Sequence, residues 1–138
     1  MKGRPRGDIR RPVHFDELVG SEFLDRSDGT AIVRLTLREE HHGVHGFVHG
    51  GVVCTLAHQS AGSAVYSLCR DGREAVMIEM KVNFVRASWT GSLESRSEVV
   101  RMGSRTALVE TRVSGEDGEL RATGTSTFLV LARALRPA

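Results

Sequence analysis

Hydrophobic and polar positions alternate along much of this chain, and the places where the alternation stops mark its organisation. In "TAIVRLTL", residues 30 to 37, Ala31, Val33 and Leu35 alternate with Ile32, Arg34 and Thr36, the period of a strand with one buried face. The preceding "HFDELVG" predicts a short helix or turn. From Val52 the period lengthens: Val52, Val53, Leu56, Ser60, Ser63, Ala64 and Leu68 recur at helical spacing, with Gly72 placed to cap the C-terminus. The middle of this helix, "AHQSAGSA", is rich in small side chains, so another backbone surface can approach it closely. "EAVMIEMKVNFV" then returns to period two, with Val76, Ile78, Met80, Val82 and Phe84 on one face and Met77, Glu79, Lys81 and Asn83 on the other. "SLESRSEVVRM", "RTALVETRV" and "ELRATGTSTFLVL" follow, divided by Gly91, by Gly103 with Ser104, and by "SGEDG", as in antiparallel hairpins. One long helix followed by such a meander buries itself only if the sheet curls around it. The predicted class is therefore α+β, a curved antiparallel sheet of five or six strands wrapped around one central helix.

Composition narrows the setting. With 138 residues, 40% of them hydrophobic, and no apolar run long enough to span a bilayer, residues 13–138 read as a single domain and no membrane partner is expected. The net charge of +2 comes from residues 1–12, where Lys2, Arg4, Arg6, Arg10 and Arg11 face only Asp8. Without that basic tail the balance is 14 basic to 16 acidic residues, and aromatics make up only 5% of the chain. A nucleic-acid surface is disfavoured on both grounds. No apolar stretch follows the basic start, so a cytoplasmic location is expected. Cys54 and Cys69 would lie about 22 Å apart if both sat on the predicted helix, too far to bridge.

The chemistry concentrates in "HHGVHGFVHGG", residues 41 to 51. His41, His45 and His49 would share a face if this were helix, but Gly43, Gly46, Gly50 and Gly51 argue for a loop. Neither a Cys-x-x-Cys nor a His-Glu-x-x-His pattern accompanies them, so no metal is assigned. The loop delivers the chain into the helix at Gly50, where free N–H groups and the positive end of the helix dipole suit a developing oxyanion.

With Gly46, Phe47, Val48, His49, Gly50 and Gly51 in the pattern G-x-x-H-G-G, "LAHQSA" in the following helix, and the strand "MIEMKVNFVRA", the chain resembles the hotdog-fold acyl-CoA thioesterases of the phenylacetate-degradation type over residues 14 to 132. The resemblance implies that the Gly50 amide polarises a thioester carbonyl while His49 orients the turn. It also implies that the site lies between two subunits of a homodimer, often paired into a homotetramer. The family's catalytic carboxylate falls at His58, its asparagine at Gly43, and its assisting serine or threonine at Met77, so all three of those side chains differ here.

Histidine commonly titrates near pH ~6.5 and can activate water at neutral pH, so His58 is the candidate base, with Gln59 or His45 holding the water. Eight residues separate Gly50 from His58, about 12 Å along one helix, so a shared thioester requires His58 from a second chain. Antiparallel packing of two such helices about a twofold axis supplies it. Gly51, Phe47 and Met77 are candidate substrate contacts. Arg86, Arg101 and Arg105 are candidate partners for coenzyme A phosphates, with Ser88 and Ser104 as hydrogen-bonding groups. No cofactor is expected beyond the coenzyme A of the substrate. The alternative reading is a non-hydrolytic acyl-CoA or thioester-binding protein. A hydratase of the same fold is disfavoured, because no aspartate lies between Thr30 and Gly51.

Overall fold

The computed structural model describes residues 14–132. The basic segment 1–12 therefore lies outside the described residues. A short helix α1 (Phe15–Val19) leads to strands β1 (Glu22–Ser27) and β2 (Thr30–Thr36), the long helix α2 (Gly50–Tyr66), and four further strands, β3 (Glu74–Phe84), β4 (Ser92–Met102), β5 (Thr106–Gly115) and β6 (Leu120–Leu131). The six strands form one antiparallel sheet in the order β1-β2-β4-β5-β6-β3, and α2 packs against its inner face, chiefly on β4, β2, β5 and β3. No described helix is long and apolar enough to cross a membrane.

Two apolar clusters hold helix to sheet. One surrounds the start of α2 and contains Val33, Leu35, Val48, Val53, Leu56, Leu93, Val113 and Ala122. The other surrounds its end, with Ala61, Val65, Ala107, Val109, Phe128 and Val130. Between them runs a polar seam: the Ser60 hydroxyl lies 2.7 Å from the hydroxyls of both Ser95 and Ser97, and Ser97 is 2.6 Å from that of Thr111. Ser60, Ser95 and Ser97 are fully buried. These small side chains let α2 approach the sheet, and the hydroxyls satisfy one another instead of facing apolar neighbours. Ser60→Ala leaves the Ser95 hydroxyl without a partner among the described residues, so urea denaturation should show stability lower by about 1–3 kcal/mol.

Three elements differ from the sequence expectation. The helix ends at Tyr66 with Ser67 as its cap, not at Gly72. Leu68 and Cys69 donate to Val65 and Tyr66 as the last turn tightens, and Asp71 and Gly72 then take positive φ angles of 56° and 74° in a reverse turn closed by Arg73 N–H to the Arg70 carbonyl. Cys69 is therefore off the helix, and both cysteines are free. β1 has no buried residue: Phe23 and Leu24 are adjacent and both exposed, and a bulge between Phe23 and Asp25 breaks any alternation. In β3 a bulge between Met77 and Glu79 switches the face of the strand. Ala75 and Met77 pack on the second cluster and Val82 on the first, while Ile78 is 58% exposed. Val76, Ile78 and Val82 thus do not share one face, because the extra residue shifts the pleat by one position.

Candidate active site

The histidine-rich segment folds as a loop anchored at both ends. His41 is buried. Its Nδ1 accepts from the Arg38 N–H at 2.9 Å and its Nε2 donates to the Val19 carbonyl at 2.8 Å, so it ties the loop to the end of α1. His42 Nε2 donates to the Trp89 carbonyl at 2.7 Å. The backbone turns back on itself through Gly43 N–H to the Phe47 carbonyl, with Gly46 at φ 85°, where a side chain would be strained. Val48 N–H donates to the Ser88 carbonyl and His49 N–H to the His41 carbonyl. His45 stacks on Phe47 at 6.0 Å between ring centroids, and Phe47 meets the edge of Trp89 at 6.2 Å. No group of three or more His, Cys, Asp or Glu among the described residues has metal-binding geometry.

This anchoring sets the first turn of α2. His49 is the N-cap: its Nδ1 accepts from the Gly51 N–H at 2.8 Å, and its carbonyl accepts from Val52 N–H at 2.9 Å. The Gly50 N–H, at the first helical position, donates to no atom of the described residues. It is thus a free donor at the positive end of a 17-residue helix. The tip of the Phe84 ring abuts it, and a Cβ built on Gly50 would lie 3.2 Å from Phe84 Cζ. A Cβ on Gly51 would come within 2.8 Å of His49 Nδ1, so glycine there protects the cap. Phe84 was legible only as a strand residue, because its approach to Gly50 spans 34 positions of sequence.

His58 projects to solvent from the outward side of α2, together with Gly51 and Tyr66, while Cys54, Thr55 and Gly62 on the same stripe are half-buried. Gln59 does not accompany it. One residue further is about 100° around the helix, and Gln59 is buried with its Nε2 donating to Asp16 Oδ1 of α1 at 2.8 Å. The pairing of Gln59 with His58 expected from their adjacency is therefore replaced by a pairing with α1.

The remaining candidates separate into two groups. Arg86 and Ser88 sit beside the start of α2. Arg86 faces Glu119 at 3.7 Å, both exposed, a contact worth little. The Ser88 hydroxyl accepts from Arg121 Nε at 2.7 Å, and Arg121 also donates to Asp117 Oδ2 at 2.7 Å. Arg121 is thus a contributor that sequence spacing did not mark, bracing the segment whose Ser88 carbonyl holds Val48. That hydrogen bond holds the Asp117 carboxyl below its ordinary 3.8. Because the folded value is the lower one, the pairing is present above the ordinary carboxylate range and is lost as pH falls below it. Arg101, Ser104 and Arg105 instead lie at the β4–β5 turn. The neighbouring Met102 packs with the cluster at the far end of α2, so within one chain they do not converge on Gly50. Met77 faces inward on that same cluster.

Comparison with known proteins agrees with this geometry. A sequence profile of the thioesterase superfamily matches residues 45–122, more than half of the chain. The solved structure of a conserved protein from Pseudomonas aeruginosa superposes with a TM-score of 0.82 at 33% identity, covering 87% of this chain and 95% of the other. A mutant of the phenylacetic acid degradation protein PaaI from Thermus thermophilus does so with a TM-score of 0.78 at 29% identity, covering 87% and 98%. The 1,4-dihydroxy-2-naphthoyl-CoA hydrolase of Listeria monocytogenes is 25% identical over 84% of this chain and 94% of its own length. With its six-stranded antiparallel sheet around one long helix and a histidine-capped glycine turn opening that helix, the chain belongs to the thioesterase superfamily and has the hotdog fold of the phenylacetate-degradation type.

Proposed function

We propose that this chain hydrolyses acyl-CoA thioesters at two equivalent sites, each shared by a pair of chains. The observation that carries the reading is the Gly50 N–H, which has no partner among the described residues, while His49 takes the amides of Gly51 and Val52. It is a donor for the carbonyl oxygen of a bound thioester, and its hydrogen bond strengthens as that oxygen gains negative charge. The partner's His58 takes a proton from water as the water oxygen bonds to the carbonyl carbon. Collapse of the oxyanion breaks the C–S bond, and the proton passes to the departing thiolate, leaving a carboxylic acid and free coenzyme A.

Two features support the shared site. Among the described residues β3 pairs with β6 alone, so its other edge is open there along Glu74–Phe84, and Ile78, Phe84 and Val85 beside it are more than half exposed. An open apolar edge of this length is covered most simply by the same edge of a second chain. Pairing there sets two α2 helices side by side and antiparallel, with Gly50 of one opposite the partner's His58. The residue midway between 50 and 58 is 54, so the twofold axis passes by Cys54. A short bis-maleimide should therefore join two chains through Cys54. The reaction calls for alkaline buffer, because burial raises this thiol above its ordinary 9.0. Cys69→Ser should leave the crosslink intact and Cys54→Ser should remove it; absence of a Cys54-dependent product would refute the antiparallel pairing.

Thiol release across a panel of aliphatic and aryl acyl-CoAs tests the reaction itself. Turnover above background with any member is the expected result. The second reading, a protein that binds thioesters without cleaving them, draws on the histidine at the position where the resemblance implies a carboxylate. It would appear as saturable calorimetric binding of a non-hydrolysable acyl-CoA with no thiol released from any substrate.

A further inference from the structure

His41 is 4% exposed, and each of its four polar groups is engaged. Its N–H donates to the Arg38 carbonyl at 3.0 Å and its Nδ1 accepts from the Arg38 N–H at 2.9 Å, so the single turn of 3-10 helix over Glu39–His41 closes on the ring as well as on the backbone. Its Nε2 donates to the Val19 carbonyl at 2.8 Å, and its own carbonyl accepts from the His49 N–H at 2.9 Å. A backbone N–H can only donate and a carbonyl can only accept, so these partners select the tautomer with the ring proton on Nε2. The end of α1 that the ring grips is itself fixed. Val19 packs on the apolar cluster at the start of α2, and the Arg38 guanidinium donates to the carbonyls of Leu18 and Val19 at 3.2 and 3.1 Å. Further back on α1, Asp16 accepts from Gln59 Nε2 in the middle of α2.

We propose that His41 is a positioning residue for the hydrolysis, acting through the Gly50 amide without touching substrate; this rests on the thioesterase reading. The hydrogen bonds form a closed brace. It runs from Gln59 of α2 through Asp16 and Val19 of α1 to the His41 ring, and from the His41 carbonyl to the N–H of His49, which caps the same helix. The Gly50 N–H lies in the peptide plane shared with His49, so its direction follows the His49 backbone, held at ψ 134°. Gly43 and Gly46 before the cap and Gly50 and Gly51 after it place few steric limits on the chain, so that direction has to be set by contacts from outside the loop. A hydrogen bond weakens steeply as it bends, and this one counts most when the thioester oxygen carries negative charge. Loosening the brace therefore lowers kcat and leaves KM, which reflects ground-state contacts, nearly unchanged.

Steady-state thiol release from the full chain tests it with three substitutions. His41→Leu fills the space without hydrogen bonds, His41→Asn restores the Nδ1 acceptor, and His41→Gln restores the Nε2 donor. His41→Leu should lower kcat by about 10–10²-fold with KM changed by no more than about twofold, and each amide should recover part of the loss. In a Gly50→Pro chain, His41→Leu should change kcat by no more than about twofold, because the donor it positions is already gone. His41→Leu as fast as both amide variants, a loss carried by KM, or two losses that multiply would each overturn the proposal. Circular dichroism checks the fold; should His41→Leu not fold, His41→Asn, which gives up the Val19 bond alone, carries the same comparison with Gly50→Pro. Backbone amide exchange adds a reading without turnover: the His49 N–H should exchange about tenfold faster or more in His41→Leu than in the parent, and an equal rate would overturn the proposal. A parent that releases no thiol, or a Gly50→Pro chain as fast as the parent, refutes the thioesterase reading and the kinetic role with it. Unchanged exchange in a chain that still turns over refutes His41 alone.

Discussion

Gly50→Pro should lower kcat by about 10²–10³-fold while the fold is retained, because it deletes one N–H and little else. Gly50 is the first residue of α2, the helical position where proline is best tolerated, since its nitrogen would have no intrahelical partner anyway. The residue before a proline must be extended, and His49 already is, at φ −62° and ψ 134°. The added carbons meet the tip of Phe84, an exposed side chain that can yield by a few tenths of an ångström. Gly50→Ala is the matched control, since it brings the same Cβ to Phe84 and keeps the N–H. It should lose far less activity than Gly50→Pro. Equal kcat for the two variants would remove the Gly50 amide from the mechanism, and equal thermal unfolding would show that the comparison is a fair one.

His58→Ala should cost about 10²–10⁴-fold in kcat, the usual contribution of a positioned general base. A stronger result comes from combining the two variants in one cell. If each site takes Gly50 from one chain and His58 from the other, a dimer of one Gly50→Pro chain and one His58→Ala chain has one doubly altered site and one intact site. Random pairing then restores roughly a quarter of the activity of the unaltered protein, from two chains that are each inactive alone. A site contained within one chain predicts no recovery. Steady-state thiol release from the co-expressed, purified mixture decides between them.

The histidine-rich loop shows how far local pattern reaches. Its glycines excluded a helix and its junction with an apolar run marked the helix start. Two of the duties of its histidines, however, depend on Val19 and Trp89, which the loop meets only when folded. Arg121 and Phe84 went unrecognised as contributors for the same reason, since each acts on a segment more than thirty residues away.

What the sequence by itself determined is what periodicity and turn chemistry can encode: one long helix with small side chains, a following antiparallel meander, and a glycine-rich entry to the helix. These are local preferences, legible because each residue's neighbours in sequence are also its neighbours in the element. The tertiary structure decided the rest. β1 was invisible because an edge strand with no buried face has no alternation to display, and the face reversal in β3 followed from a single bulged residue. The approach of Phe84 to Gly50 was decided by strand placement, and the separation of Gln59 from His58 by the packing of α1, whose Asp16 takes the Gln59 amide while His58 stays in solvent. Pairing across space, unlike periodicity along the chain, leaves no repeating signal in the sequence.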